Sequence, residues 1–205
     1  MSLPGLWRGE APLLLASTSP TRRALLAAAA IPHDTEAPGV DERALEAELG
    51  RPDPARLAAA LAGAKALAVS RRHPARLVLG ADQVLDLDGA VFCKAENRDE
   101  AHAQLARLAG RSHRLHAAFA LARAGGIVAA GAGTATLTLR PLGEAAIASY
   151  LAAAGEAPMR SVGGYEIEGL GLHLMERVEG EHTTILGLPM LPLLAALRDL
   201  GALAP

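Results

Sequence analysis

Asp82 stands inside the apolar run LVLGADQVL, where a carboxylate has no packing reason to be. Gly80 and Ala81 precede it and leave room for another group to approach the backbone closely. An acid held there beside cations keeps its charge, and it then suits the work of a general base or a metal ligand. A cation follows soon after. Asp88-Gly89 reads as a hairpin turn and AVFCK as a returning strand that ends on Lys94. A three-residue loop with Gly89 left-handed sets Asp82 opposite Lys94, whereas a two-residue loop sets Gln83 there. Either register gathers an acid, an amide and an amine on one strand face, and a plain cross-strand ion pair is the competing explanation.

A second candidate is the stretch LLLASTSPTRRALL, residues 13–26. Ser19 and Pro20 suit the N-cap and first position of a helix beginning at Thr21 or just before it. The first turn of such a helix exposes unpaired amides and about half a positive charge, so Arg22 and Arg23 run against the preference for acids there. An anion removes the conflict. Amides, the hydroxyls of Ser17 and Ser19 and the two guanidinium groups would then face one phosphate of a triphosphate tail. The alternative is that both arginines lie on the solvent face and pair with acids such as Glu36.

Three further groups carry weaker signals. Lys65 borders the stripe Leu57, Leu61, Ala64, Ala68 and is the one cation between Arg56 and Arg71, which fits snorkelling to solvent as well as ligand binding. Asp41 and Glu42 are adjacent acids usable for Mg²⁺ whose shell phosphate oxygens complete, or else solvated loop residues. Glu166 and Glu168 alternate in GGYEIEGLG, which on a strand turns both to one side and lets Glu168 offer its carboxylate to a base edge. No nucleophilic triad and no HExxH spacing occurs, and GAGTATLTL matches neither a Walker loop nor a dinucleotide fingerprint. His33, His113 and His116 read as surface or turn residues.

The elements that must position these groups follow from periodicity and breakers. PLLLA reads as a strand and TRRALLAAAA as a helix running to Pro32. Residues 33–53 look like an excursion over the surface with a short helix from Arg43 to Leu49, and Pro54 to about Arg72 forms a longer helix. After the hairpin of 76–94, a helix runs from about Arg98 to Leu108, two long strands span 113–142, and a helix covers Glu144 to Ala154. Short strands broken by glycines are expected over 161–180, and a closing helix over 187–203. Strands outnumber simple βαβ alternation, so the class is α/β with a mixed sheet flanked by helices. Residues 1–11 read as a leader and 12–205 as one domain.

The chain has 205 residues, 51% hydrophobic and only 2% aromatic, so its core must rest on Ala, Leu and Val. A net charge of −2 argues against nucleic-acid polymers or an anionic membrane as partners, since both need a broad basic face. The single cysteine, Cys93, excludes an internal disulfide framework and fits a reducing cytoplasm. No apolar run reaches the roughly 20 residues of a membrane span, and the start MSLPGLWRGE lacks the apolar core of a signal peptide.

LLLASTSPTRRALL, APGVDE, the lysine of LAGAKALAV, LGADQVL with DG and CK, GYEIEGLG and ILGLPM resemble, in order, the motifs of the Maf family of nucleoside triphosphate pyrophosphatases. The resemblance covers about residues 12–198. It implies an α/β fold with a deep cleft, related to the inosine triphosphate pyrophosphatases, and a hydrolase that uses a divalent cation, Mg²⁺ or Mn²⁺, to release pyrophosphate from a nucleotide. By the same resemblance Asp82 is the general base, Ser17, Arg22, Lys65 and Lys94 handle phosphate, and Glu42 lies near the metal with Asp82. Thr21, Gln83 and Glu168 occupy the positions that distinguish branches of the family. Gln83 and Glu168 are similar to the branch acting on 7-methyl-GTP, whose base donors a carboxylate would accept, while Thr21 replaces the bulky aromatic common there. The resemblance also implies a homodimer, and it leaves as alternatives a dTTP/UTP pyrophosphatase or a nucleotide-binding regulator of cell division.

Overall fold

The computed structural model describes residues 5–50 and 52–205, so the first four residues of the expected leader lie outside the described range. The fold is α/β with a mixed sheet. In chain order the elements are β1 (Leu13–Ala16), α1 (Pro20–Ala28), β2 (His33–Thr35), α2 (Glu42–Leu49), α3 (Pro54–Arg72), β3 (Val78–Leu87), β4 (Ala90–Phe92), α4 (Arg98–Leu108), β5 (Ser112–Arg123), β6 (Gly126–Leu139), α5 (Glu144–Ala154), α6 (Ala157–Arg160), a 3₁₀ turn (Leu170–Leu174), β7 (Met175–Glu179), α7 (His182–Ile185) and α8 (Met190–Asp199). Among the described residues the strands form a seven-stranded sheet in the order β2-β1-β3-β5-β6-β7, with β4 paired to β3.

The chain divides into two compact units. The first comprises Met1–Gln83, Ala117–Gly133 and Glu181–Pro205. Its centre is β1, all of whose side chains are buried, parallel to β2 through Leu13↔His33 and to β3 through Ala16↔Gly80. A continuous apolar run is what a strand covered on both faces requires. Leu13, Leu15, Leu79, Phe119, Leu188 and Leu193 join one core cluster. The segment before β1 is docked onto the C-terminal end, with Arg8 N donating to Ala202 O at 2.9 Å and Ala204 N to Leu6 O at 2.8 Å. Strand β2 was not anticipated within the expected surface excursion. Its sequence, His-Asp-Thr, carries no apolar alternation because it is short and sits at the sheet edge.

The second unit comprises Val84–His116 and Thr134–Gly180. The β3–β4 hairpin closes through Leu87↔Ala90, with φ of 52° at Asp88 and 84° at Gly89. Positive φ at both central residues marks the two-residue loop, the second of the registers weighed above. The ladder stops at Leu85↔Phe92, however, and Lys94 makes its backbone bridge to Val162. Neither expected strand partner of Lys94 is therefore realised. Over 161–180 one strand forms, β7, antiparallel to β6. Gly163 and Gly164 have φ of +82° and +78°, and residues 167–169 form a turn leading into the 3₁₀ segment. Glu166 and Glu168 consequently do not share a strand face: Glu166 pairs with Arg160 at 3.1 Å and Glu168 is exposed in the turn.

Candidate functional site

Helix α3 starts where Asp53 accepts hydrogen bonds from Ala55 N and Arg56 N at 3.0 and 3.3 Å, with Pro54 needing none. Its buried face runs Leu57, Ala58, Leu61, Ala62, Lys65, Ala66, Val69, so Ala64 and Ala68 of the expected stripe are displaced from its centre and Lys65 lies within it. Gly80 explains how close this helix comes to β3. A Cβ at Gly80 would meet Ala62 O at 2.2 Å and Ala66 N at 2.5 Å, so the group for which the glycine leaves room is the backbone of α3 itself. One turn along the helix and two residues along the strand, Lys65 and Asp82 meet.

Lys65 Nζ donates to Asp82 Oδ1 at 2.5 Å and lies 2.8 Å from Glu42 Oε1. Lys65 and Asp82 are 6% and 7% exposed, which removes the snorkelling explanation for the lysine. Of the two neighbouring acids, Asp41 caps α2 by accepting from Ala44 N at 3.0 Å, which leaves Glu42 to reach Lys65. The loop before them is fastened by Glu36, whose carboxylate takes Arg72 Nε at 2.7 Å and His73 Nε2 at 2.6 Å. Glu36 is thus engaged by α3 and its end, and not by Arg22 or Arg23 as the alternative reading had it. Burial pushes the Asp82 carboxyl above the ordinary aspartate value, while the charges of Lys65 and Arg22 pull it back.

The turn after β1 supplies the second half. Because Ala16 pairs with Gly80 in parallel strands, this turn leaves the sheet beside Asp82, at the carboxyl end of β1 where ligands of open α/β sheets gather. Ser19 is the N-cap of α1, with Oγ accepting from Arg22 N at 3.4 Å, and Pro20 opens the helix. No acid occupies the first turn of α1. Ser17 Oγ accepts from Ser19 N at 3.2 Å and Arg22 Nη1 at 3.3 Å, so its own proton remains to be donated. Arg22 Nε is held by Gly187 O at 2.9 Å. Burial lowers the Arg22 guanidinium below its ordinary value, opposed by Asp82 and Glu42, whose charges therefore reach it.

The first unit thus brings together Ser17, Ser19, Arg22, Glu42, Lys65 and Asp82, with Gln83 directed to the Thr184 and Ile185 carbonyls at 3.0 and 2.8 Å. Thr21 is half-buried and Arg23 exposed on α1. Lys94 and Glu168 belong to the second unit, both exposed. Gly187 was legible only as part of ILGLPM, residues 185–190, and Thr184 just before it carried no signal, since neither residue type bears a charge to advertise a role. The arrangement is two carboxylates converging on one buried ammonium beside a guanidinium, a hydroxyl and a helix start, a constellation fit to hold an anion next to a base.

The sequence model of Maf-like proteins matches residues 12–200. The chain is 51% identical over 199 residues to a nucleoside triphosphate pyrophosphatase of Rhodopseudomonas palustris (strain HaA2), covering 97% of this chain and 98% of that protein. It is 49% identical over 194 residues to one from Nitrobacter winogradskyi, covering 95% and 96%. A 7-methyl-GTP pyrophosphatase of Rhizobium meliloti (strain 1021) is 47% identical over 193 residues, covering 93% and 97%. A match over nearly the whole length, with the ordered motifs above, makes this chain a member of the Maf-like protein family.

Proposed function

We propose that this chain is a cytoplasmic nucleoside triphosphate pyrophosphatase with 7-methyl-GTP as its favoured substrate. The observation that carries the reading is the buried Lys65, 2.5 Å from Asp82 and 2.8 Å from Glu42, within reach of the Arg22 charge. Three groups assist the phosphates. The positive end of α1, the free Ser17 proton and the Arg22 guanidinium bind and orient the chain of anhydrides. Asp82 accepts a proton from water, the water oxygen bonds to phosphorus, and the anhydride bond breaks with its electron pair leaving on pyrophosphate. Fixed cations stabilise the charge that builds on the leaving group. Lys65 opposes the effect of burial on Asp82 and favours its charged form, the form that takes that proton.

A divalent cation, Mg²⁺ or Mn²⁺, fits the donors present. Asp82 and Glu42 each give one oxygen to Lys65, which leaves Asp82 Oδ2 and Glu42 Oε2 as hard ligands. Among the described residues no three His, Cys, Asp or Glu side chains converge into a cage, in keeping with an ion that takes the rest of its shell from water and phosphate. When bound it would neutralise phosphate charge. For the base, the support is the name of the Rhizobium meliloti relative.

The test is pyrophosphate release from a panel containing 7-methyl-GTP, GTP, dTTP and UTP, with both products identified. The expected result is pyrophosphate and 7-methyl-GMP in equal amounts, fastest from the methylated nucleotide. Preference for dTTP and UTP would overturn the substrate, and no turnover of any member with either metal would overturn the activity in favour of a nucleotide-binding regulator.

A further inference from the structure

Gln83 and Arg22 share one neighbour. Both amide protons of Gln83 Nε2 are committed to main chain, to Thr184 O at 3.0 Å and Ile185 O at 2.8 Å. Two residues on, Gly187 O accepts Arg22 Nε at 2.9 Å. Gly187 has φ of +90°, and a Cβ there would lie 3.5 Å from both Arg22 Nη2 and Gln83 Oε1, so the turn passes between the two side chains. The turn is itself pinned to the start of α8. Glu181 accepts from the Thr183 hydroxyl and from Leu191 N at 3.2 Å, and Thr183 Oγ1 accepts from Met190 N at 3.0 Å. Ile185 and Leu188 are buried beneath it, at 6% and 0% exposure.

Arg22 therefore has two of its three nitrogens fixed, Nε on Gly187 and Nη1 on Ser17. A guanidinium locked this way presents its remaining donors to an incoming anion without first losing rotamer freedom. We propose that Gln83 is a positioning residue for Arg22: its carboxamide holds the Thr184–Gly187 turn, and the Gly187 carbonyl of that turn sets the guanidinium against the phosphates. The inference rests on the reading of Arg22 as a phosphate-binding group. It assigns Gln83 to the phosphate end of the ligand and not to base recognition, because a carboxamide with both N–H groups engaged has only Oε1 to offer.

Inorganic tripolyphosphate, which has no base, separates the two roles. Its affinity is measured by calorimetry in Mg²⁺ for the full chain, Gln83→Met, Arg22→Ala and the double variant, each checked by thermal unfolding. Gln83→Met keeps the volume and loses the donors. It should weaken tripolyphosphate about tenfold, and the double variant should bind no more weakly than Arg22→Ala alone, the non-additivity of groups acting through one another. Gln83→Asn, too short to reach both carbonyls, should give the same loss and serves if the methionine variant does not fold. Unchanged tripolyphosphate affinity in a folded Gln83 variant, or effects that add to those of Arg22→Ala, would overturn the inference while leaving the phosphate site standing. Failure of the unsubstituted chain to bind tripolyphosphate would overturn the site itself and the inference with it.

Discussion

Lys65 is the residue on which two acids depend. Its ammonium is 8% exposed at the side chain, its Asp82 partner 10% and its Glu42 partner 51%, so one carboxylate is buried with it and the other is half in water. Lys65→Met keeps the volume but leaves Asp82 buried without its nearest counter-charge. Removing one partner of a buried pair costs about 3–5 kcal/mol, and the remaining attraction of Arg22 sets the expectation at the lower end, about 3 kcal/mol in urea unfolding near neutral pH. A loss below about 1 kcal/mol would mean that the pair is solvated and that Asp82 is not held as described. Sequence alone left this lysine between a snorkelling and a binding role. Its depth depends on which face of α3 meets β3, and the alanines that decide this, Ala58, Ala62 and Ala66, read no differently from those on the outer face.

At the scale of elements, the approach of α3 to β3 hangs on Gly80. A methyl group there would lie 2.2 Å from a backbone oxygen, a contact that no rotamer change relieves, so Gly80→Ala must push the helix away from the strand. Overpacking of this kind costs about 1–3 kcal/mol. The same displacement carries Lys65 away from Asp82. We expect Gly80→Ala to fold with lowered stability and to lose activity out of proportion to that loss, as judged by turnover measured well below its unfolding temperature. Full activity would show that the helix position is immaterial to the site. The elements themselves were largely legible: α1 with its Ser19-Pro20 start, α3, the Asp88-Gly89 hairpin and the closing helix α8 all follow from caps, periodicity and turn residues. What escaped was short or polar. Strand β2 is three residues at a sheet edge, and α6 and α7 are four residues each, too brief for any periodicity to register. Glu166 and Glu168 misled for a related reason, since alternation of two glutamates imitates a strand where glycines impose turns.

For the molecule as a whole, stability carries a pH signature from the second unit. His113 is 2% exposed, and burial holds its imidazole neutral, lowering its pKa from 6.5 to about 4. Burial also raises the Tyr165 phenol, which therefore keeps its proton, and its hydroxyl shares a hydrogen bond with His113 Nε2 at 2.5 Å. The unfolded chain takes up a proton at this histidine below pH 6.5, whereas the folded chain does so only near 4. Stability from this group is thus present above 6.5 and is lost as pH falls through the window, at no more than about 1.4 kcal/mol per pH unit. Urea midpoints at pH 7 and 5 should differ accordingly, and His113→Gln, which binds no proton there, should flatten the difference. An unaltered slope in that variant would assign the acid sensitivity elsewhere. This histidine reads in the sequence as a surface or turn residue, because nothing local reveals that Tyr165, 52 positions away, covers it.

The account turns on Asp82 acting as a base within a pocket that binds phosphates by other means. Asp82→Asn preserves shape, leaves Lys65 paired with Glu42, and removes the proton acceptor. The decisive measurement sets equilibrium nucleotide binding beside single-turnover pyrophosphate release for this variant and the unaltered chain. Binding should persist within a few fold while release slows by about 10²–10⁴, the contribution of a positioned general base. Release at an undiminished rate would contradict the account at its centre.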